Sequence, residues 1–179
     1  MAIKTFTSGE VLTASDTNTY LANSGLVYIK EQTIGSAVAS VTVTNAFSST
    51  YDNYKIIVSG GAGSTAQAIA LKLGASATGY YQGFQYVTYA TGIGTNVGVN
   101  NGASWTYAGE SSANMQTVNL DLLSPFNANF TRMGGFYLGT VAGTVSGYHG
   151  VATSYTDFTL IVAGTMTGGT ITVYGYRKA

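Results

Sequence analysis

Cysteine is absent from the chain, proline and histidine occur once each, and the charged residues are limited to seven basic and seven acidic side chains. Without cysteine there is no disulfide scaffold, no thiolate zinc site and no cysteine nucleophile. A formal net charge of zero and a charged fraction of 8%, against roughly 25% in ordinary soluble domains, leave no basic footprint for nucleic acid and no polybasic patch for a membrane surface. The single histidine, His149, rules out a histidine-pair metal site. A Ser-His-Asp triad would have to use this one base, with no Gly-x-Ser-x-Gly elbow to carry the nucleophile. Long apolar runs are also missing, so no membrane-spanning helix is expected. Residues 1–6 are followed by polar Thr7-Ser8-Gly9-Glu10 and not by the apolar core of a secretory signal, so synthesis in the cytoplasm is expected.

What the chain has in quantity is glycine (24 residues), tyrosine (14) and uncharged Thr, Ser and Asn, with hydrophobic residues at 45%. A length of 179 residues suits one core of ordinary size. A polar surface without charge repulsion tends to associate. Burial of part of that surface against further copies of the chain is therefore expected.

One helix start stands out. Thr13-Ala14-Ser15-Asp16 has capping-box spacing, which predicts a short helix over residues 14–22, stopped by Asn23-Ser24-Gly25. Beyond it, Val41 and Val43 alternate with Thr42 and Thr44, Ile69, Leu71 and Leu73 with Ala70 and Lys72, and Val118, Leu120 and Leu122 with Asn119 and Asp121. Period-two alternation is the pattern of strands with one face in a core. Residues 54–59, 80–89 and 133–138 extend the pattern. Residues 158–162 and 171–174, joined by a Gly-containing loop, predict a C-terminal hairpin. The uncharged, Gly- and Asn-rich stretch 90–104 reads as a long surface loop. About nine or ten strands at this spacing predict an all-β fold, an antiparallel jelly-roll-like sandwich whose first strands meet its last. The expected organisation is an N-terminal arm with a short helix over residues 1–25 and a β-sandwich knob over 26–179.

Little in the chain carries catalysis. The carboxylates Asp52, Glu110, Asp121 and Asp157 form no close pair in sequence of the kind glycoside hydrolysis needs. Gly92-Ile93-Gly94-Thr95-Asn96-Val97-Gly98 lacks the ending of a phosphate loop and the spacing of a dinucleotide fingerprint. No catalytic residue, metal ligand or cofactor is expected. His149, within Gly147-Tyr148-His149-Gly150, reads as a turn histidine making ordinary hydrogen bonds. The aromatic inventory is richer: Tyr80, Tyr81, Phe84, Tyr86 and Tyr89 lie together, and Trp105 and Tyr107 follow the Gly/Asn stretch. Such rings either pack a core or subunit interface, or contact a partner such as a sugar face. On the second reading, Tyr80, Tyr81, Tyr86, Tyr89, Trp105 and Tyr107 are the candidate receptor contacts.

The stretch 6–21, Phe-Thr-Ser-Gly-Glu-Val-Leu-Thr-Ala-Ser-Asp-Thr-Asn-Thr-Tyr-Leu, resembles the short leader that opens many tailed-phage virion proteins, in particular tail-fibre and minor structural proteins. Gly9, Val11, Leu12, Thr13, Ala14, Asp16 and Asn18 stand where that pattern wants them. The closing Gly169-Thr170-Ile171-Thr172-Val173-Tyr174-Gly175-Tyr176-Arg177 is similar to the final strand of phage fibre and decoration knobs. The resemblance implies a virion protein forming a homotrimer, with Gly9, Val11, Leu12, Thr13, Asp16, Asn18 and Tyr20 anchoring the arm to tail, baseplate or capsid proteins. It implies a tail-attached fibre or adhesin whose knob meets a host-surface glycan or protein, without nucleic acid and without membrane insertion. A capsid decoration, cement or head-fibre protein is the alternative within the same family. A carbohydrate-binding or hydrolytic module is the alternative outside it.

Overall fold

The computed structural model describes residues 6–17 and 25–178. At the start, Thr13 caps a three-residue helix, α1 (Ala14–Asp16). The Thr13 hydroxyl accepts from the Asp16 N–H at 3.1 Å while the Asp16 carboxylate accepts from the Thr13 N–H at 3.2 Å, the reciprocal box expected from the sequence. The remainder of the expected helix, and with it Asn18 and Tyr20, lies outside the described residues.

Among the described residues everything else that is regular is strand, as the alternation predicts: thirteen strands form one antiparallel sheet that curls on itself. They are β1 (Leu26–Thr33), β2 (Val38–Val43), β3 (Asn53–Ser59), β4 (Ala62–Gly63), β5 (Gln67–Leu73), β6 (Tyr80–Thr88), β7 (Gly94–Gly102), β8 (Trp105–Ser112), β9 (Met115–Leu123), β10 (Thr131–Leu138), β11 (Val141–His149), β12 (Phe158–Thr167) and β13 (Thr170–Tyr176). Two quartets carry the topology. In one the order is β1-β13-β3-β9, and in the other β2-β12-β5-β8, so each interleaves strands from the two ends of the chain. This is the nested Greek-key winding of a jelly roll. It places Leu26 of the first strand opposite Tyr176 of the last.

The core lies between these quartets. Ile56 and Val58 on β3, Leu71 and Leu73 on β5, Leu120 and Leu122 on β9, Leu160 on β12 and Val173 on β13 are all buried. Each such side chain contributes about 1.5–3 kcal/mol relative to exposure. Phe47 joins the layers, lying 4.8 Å from the Tyr54 ring and 5.6 Å from the Phe158 ring.

Two hairpins are inserted into this winding. β6 and β7 stand between β5 and β8 in sequence, and β10 and β11 between β9 and β12. In space they join into one four-stranded wing, β10-β11-β6-β7, which extends the first quartet from β9. The wing turns its inner face to β8. Phe84 packs against Tyr107 at 4.9 Å and Tyr137 at 4.6 Å, and Tyr80 meets Trp105 edge-on at 5.2 Å.

Three expectations are corrected. Residues 94–102 are a strand and not part of a long loop, because β7 pairs along most of its length with β6. Residues 158–176 are not a hairpin: β12 pairs with β2, β4 and β5, whereas β13 pairs with β1 and β3. Gly168 and Gly169, at φ of 65° and 85°, carry the chain across from one quartet to the other in a conformation other residues rarely adopt. His149 ends β11 and is fully buried, not in a turn, though it makes the ordinary hydrogen bonds expected of it.

Candidate functional site

Strand alternation gives the wing an inner face against β8 and an outer face toward solvent. Following one cross-strand row over the outer face, Tyr28 stands opposite Tyr174, Tyr174 opposite Lys55 and Lys55 opposite Asp121. The row continues through Gly134, Ser146, Gly83 and Gly98. Large side chains fill its first half, and glycine or serine its second. At Gly83 a Cβ would meet nothing within 4 Å, and at Gly134 and Gly98 nothing nearer than a backbone carbonyl 3.9 Å away. The fold therefore does not require glycine at these positions. Inner-face glycines of the wing differ, since a Cβ at Gly143 or Gly147 would collide with the backbone of β6.

The bare row is the floor of a groove of about 890 Å³, within the size range of ligand sites. With strands 4.7–4.9 Å apart, the part of the row that lines the groove, from Gly134 through Ser146 to Gly83, runs about 10 Å across the wing. Its wall is the neighbouring row, in which Arg132 lies opposite Tyr148 and Tyr148 opposite Tyr81. Tyr81 stacks on Tyr148 at 4.6 Å with the planes 10° apart, and Phe130 stacks on Tyr148 at 6.1 Å and 18°. Tyr148 thus has a ring on either side. What this wall offers a ligand is ring edges, the electropositive rim of the aromatic system, and phenol hydroxyls. Both faces of the Tyr148 ring are spent within the wall.

Two charges flank the groove. Asp121 closes its end on β9, held by the Tyr176 hydroxyl at 2.5 Å and the Lys55 ammonium at 3.3 Å. Burial, then the hydrogen bond to Asp121, pushes the Tyr176 phenol up to about 12. Arg132, exposed beside the stacked rings, makes no ion pair among the described residues.

The wall is braced from below. Trp105 is fully buried, and its indole Nε1–H donates to the Tyr148 carbonyl at 3.3 Å. The Gln82 side chain bonds Tyr107 twice, accepting from its N–H and donating to its carbonyl, each at 3.0 Å. Tyr107 lies where the β5–β8 register shifts, so Gln82 supplies partners that the ladder does not. His149 sits against Tyr80 at 4.3 Å, with Nε2 2.9 Å from the Ser76 hydroxyl and 3.1 Å from the Thr78 carbonyl. Burial lowers its pKa below the ordinary 6.5, opposed by the backbone hydrogen bonds it makes.

Comparison with protein-family models, curated proteins and solved structures finds no match.

Of the receptor contacts expected from the sequence, Tyr81 lines the groove. Tyr80 and Trp105 are corrected: both are fully buried, Tyr80 with its hydroxyl accepting from the Leu73 N–H at 2.7 Å, and they have no surface to offer. Tyr86 and Tyr107 are half-buried and flank Phe84 on the inner face. Tyr89 is exposed beyond the end of β6, outside the groove lining. Arg132, Tyr148 and Phe130 went unnoticed in the sequence, yet a signal was present: Arg132 is the only charged residue between Asp121 and Asp157. On the arm, Gly9, Val11, Leu12 and Thr13 are exposed and Asp16 half-buried.

The carboxylates Glu110, Asp157 and Asp52 and the imidazole of His149 each have a separate structural partner. Glu110, buried on β8, accepts from the Thr140 N–H at 2.9 Å and its hydroxyl at 3.1 Å, fixing the β10–β11 turn. Asp157 accepts from the Asn45 N–H at 2.8 Å, and Asp52 pairs with Lys178 at 2.8 Å. His149 has the Tyr155 hydroxyl, not a carboxylate, 3.4 Å from Nδ1. Among the described residues no cluster of three or more His, Asp or Glu is placed to hold a metal ion.

Proposed function

We propose that the chain is a non-enzymatic structural protein of a tailed-phage particle, a tail-attached fibre or adhesin. Its arm docks on the virion, and its β body, as a homotrimer, meets the host surface. The observation that supports this best is a pairing of two surfaces. An arm whose Val11 and Leu12 stand 79% and 49% exposed offers apolar side chains to a docking partner. A jelly-roll body carries a broad groove walled by aromatic rings, and the one acid that lines it, Asp121, is held by Tyr176 and Lys55. The leader resemblance and the charge-poor, Thr- and Tyr-rich surface fit the same reading, since subunit contacts favour tyrosine and exclude charge.

The experiment deletes residues 1–25. Particles assembled with the truncated chain are expected to lack it, while the purified body stays folded, has the light-scattering mass of three chains and competes with intact phage for adsorption. A single-chain mass would overturn the trimer. Retention of the truncated chain on particles would overturn the arm as anchor, and binding of the full chain but not the truncated one to empty heads would favour a capsid decoration protein.

A further inference from the structure

We infer that the glycine-floored groove of the wing binds a segment of acidic polysaccharide, with Arg132 taking its anionic group and the Phe130–Tyr148–Tyr81 wall lining its path. The inference names the ligand class for the host contact proposed above and rests on that reading.

The argument starts from the floor. A glycine costs a strand conformational entropy and packing, yet Gly134, Gly83 and Gly98 align in one register across the wing at positions where a side chain would fit. Chains of β10, β11, β6 and β7 thus leave clear a strip that the fold itself does not need clear. Something else occupies that space, and the lining indicates its chemistry. Ser146 on the floor and the Tyr81 and Tyr148 rims with their phenol hydroxyls are uncharged hydrogen-bonding groups, suited to a ligand rich in hydroxyls. Arg132 is the one unpaired charge among them, on a wing otherwise free of charged residues, and guanidinium is the group of choice for a planar carboxylate or a phosphate. Ring edges reinforce that preference for negative charge.

A peptide is the less suitable occupant. Extended peptides bind sheets by adding a strand to an open edge, whereas the floor lies on the sheet face over β10, β11 and β6, each paired on both sides.

The test uses the purified full chain and isothermal titration with four probes: an oligosaccharide containing uronic acid, a glycosyl phosphate polymer fragment, a neutral dextran oligosaccharide and a polyglutamate peptide. At least one of the two acidic saccharides is expected to bind, and which one does identifies carboxylate or phosphate as the anion. Arg132→Gln is expected to weaken that binding about tenfold or more and to leave dextran unchanged. Gly83→Val, which fills the floor, is expected to abolish it with an unaltered melting temperature. Gly134→Ser provides a milder filling should the valine disturb folding. Equal binding of acidic saccharide and dextran, polyglutamate binding as tight as either, an affinity indifferent to Arg132 or to the fillings, or no saccharide binding at all would each overturn the inference. Because these measurements need no virion, they can fail while arm-dependent incorporation into particles holds, and the reverse.

Discussion

One row of residues crosses the eight strands β1-β13-β3-β9-β10-β11-β6-β7, and its two halves are built to opposite rules. Over the jelly-roll quartet it reads Tyr28, Tyr174, Lys55, Asp121, side chains that cover the sheet and pair with one another. Over the wing it reads Gly134, Ser146, Gly83, Gly98, and the sheet is laid bare. The inner faces differ less, since both are apolar and buried. The quartets specify the fold from their core, while the inserted hairpins borrow that rigidity and free their outer face for another purpose, a division usual where function is grafted on a scaffold.

The comparison can be broken most severely from the core side. Leu160→Ala on β12 is expected to cost about 2–5 kcal/mol, read by chemical denaturation, and to unfold quartets and wing together. Gln82→Leu comes next. It leaves the Tyr107 N–H and carbonyl without their partners at a cost of about 1–3 kcal/mol. Hydrogen exchange should quicken first in β6 and β7, while the quartets stay protected. Simultaneous opening of both regions would show that wing and quartets are one cooperative unit.

A smaller effect is expected from pH. Because burial keeps His149 neutral, the folded state binds its proton less readily than the unfolded chain does. Its contribution is complete above the unfolded-state value of about 6.5. It is lost progressively as pH falls below that value and through the lowered folded-state one. Thermal melts at pH 7.5 and 5.0 should differ for the native chain and differ less for His149→Gln. The smallest effect sharpens the contrast most. Gly83→Ala on the wing's outer face should change stability by less than about 0.5 kcal/mol, whereas Gly147→Ala, whose Cβ would press on the Tyr81 carbonyl and the Trp105 indole, should destabilise measurably. Equal effects would remove the distinction between a vacant floor and a packed one.

How legible each half was in the sequence follows from the same division. Val118, Leu120 and Leu122 announce β9 because burial of one face imposes apolar residues at every second position. The capping box of Thr13 and Asp16 is equally local and equally readable. Strand β7 hides because Gly98, Asn100 and Asn101 have little strand preference of their own, and β6 supplies the order. The chain reversal at Gly168-Gly169 is visible, but β12 and β13 take their partners from β1 to β5, in the first half of the chain, which no local signal encodes. The groove is less legible still. Gly83, Gly98 and Gly134 become neighbours only through register, and Trp105, which a preceding loop would have put at the surface, is drawn beneath Tyr148 by the wing folding over β8.

The place of β13 has a consequence for how the molecule is made. Its residues 170–176 enter between β1 and β3, strands that leave the ribosome more than a hundred residues sooner. Until β13 arrives, both hold open edges in a layer with a central vacancy, and pairing across so long a sequence separation is slow. Folding is thus gated by translation reaching this final strand. In the interval those two open edges are templates for pairing with other chains.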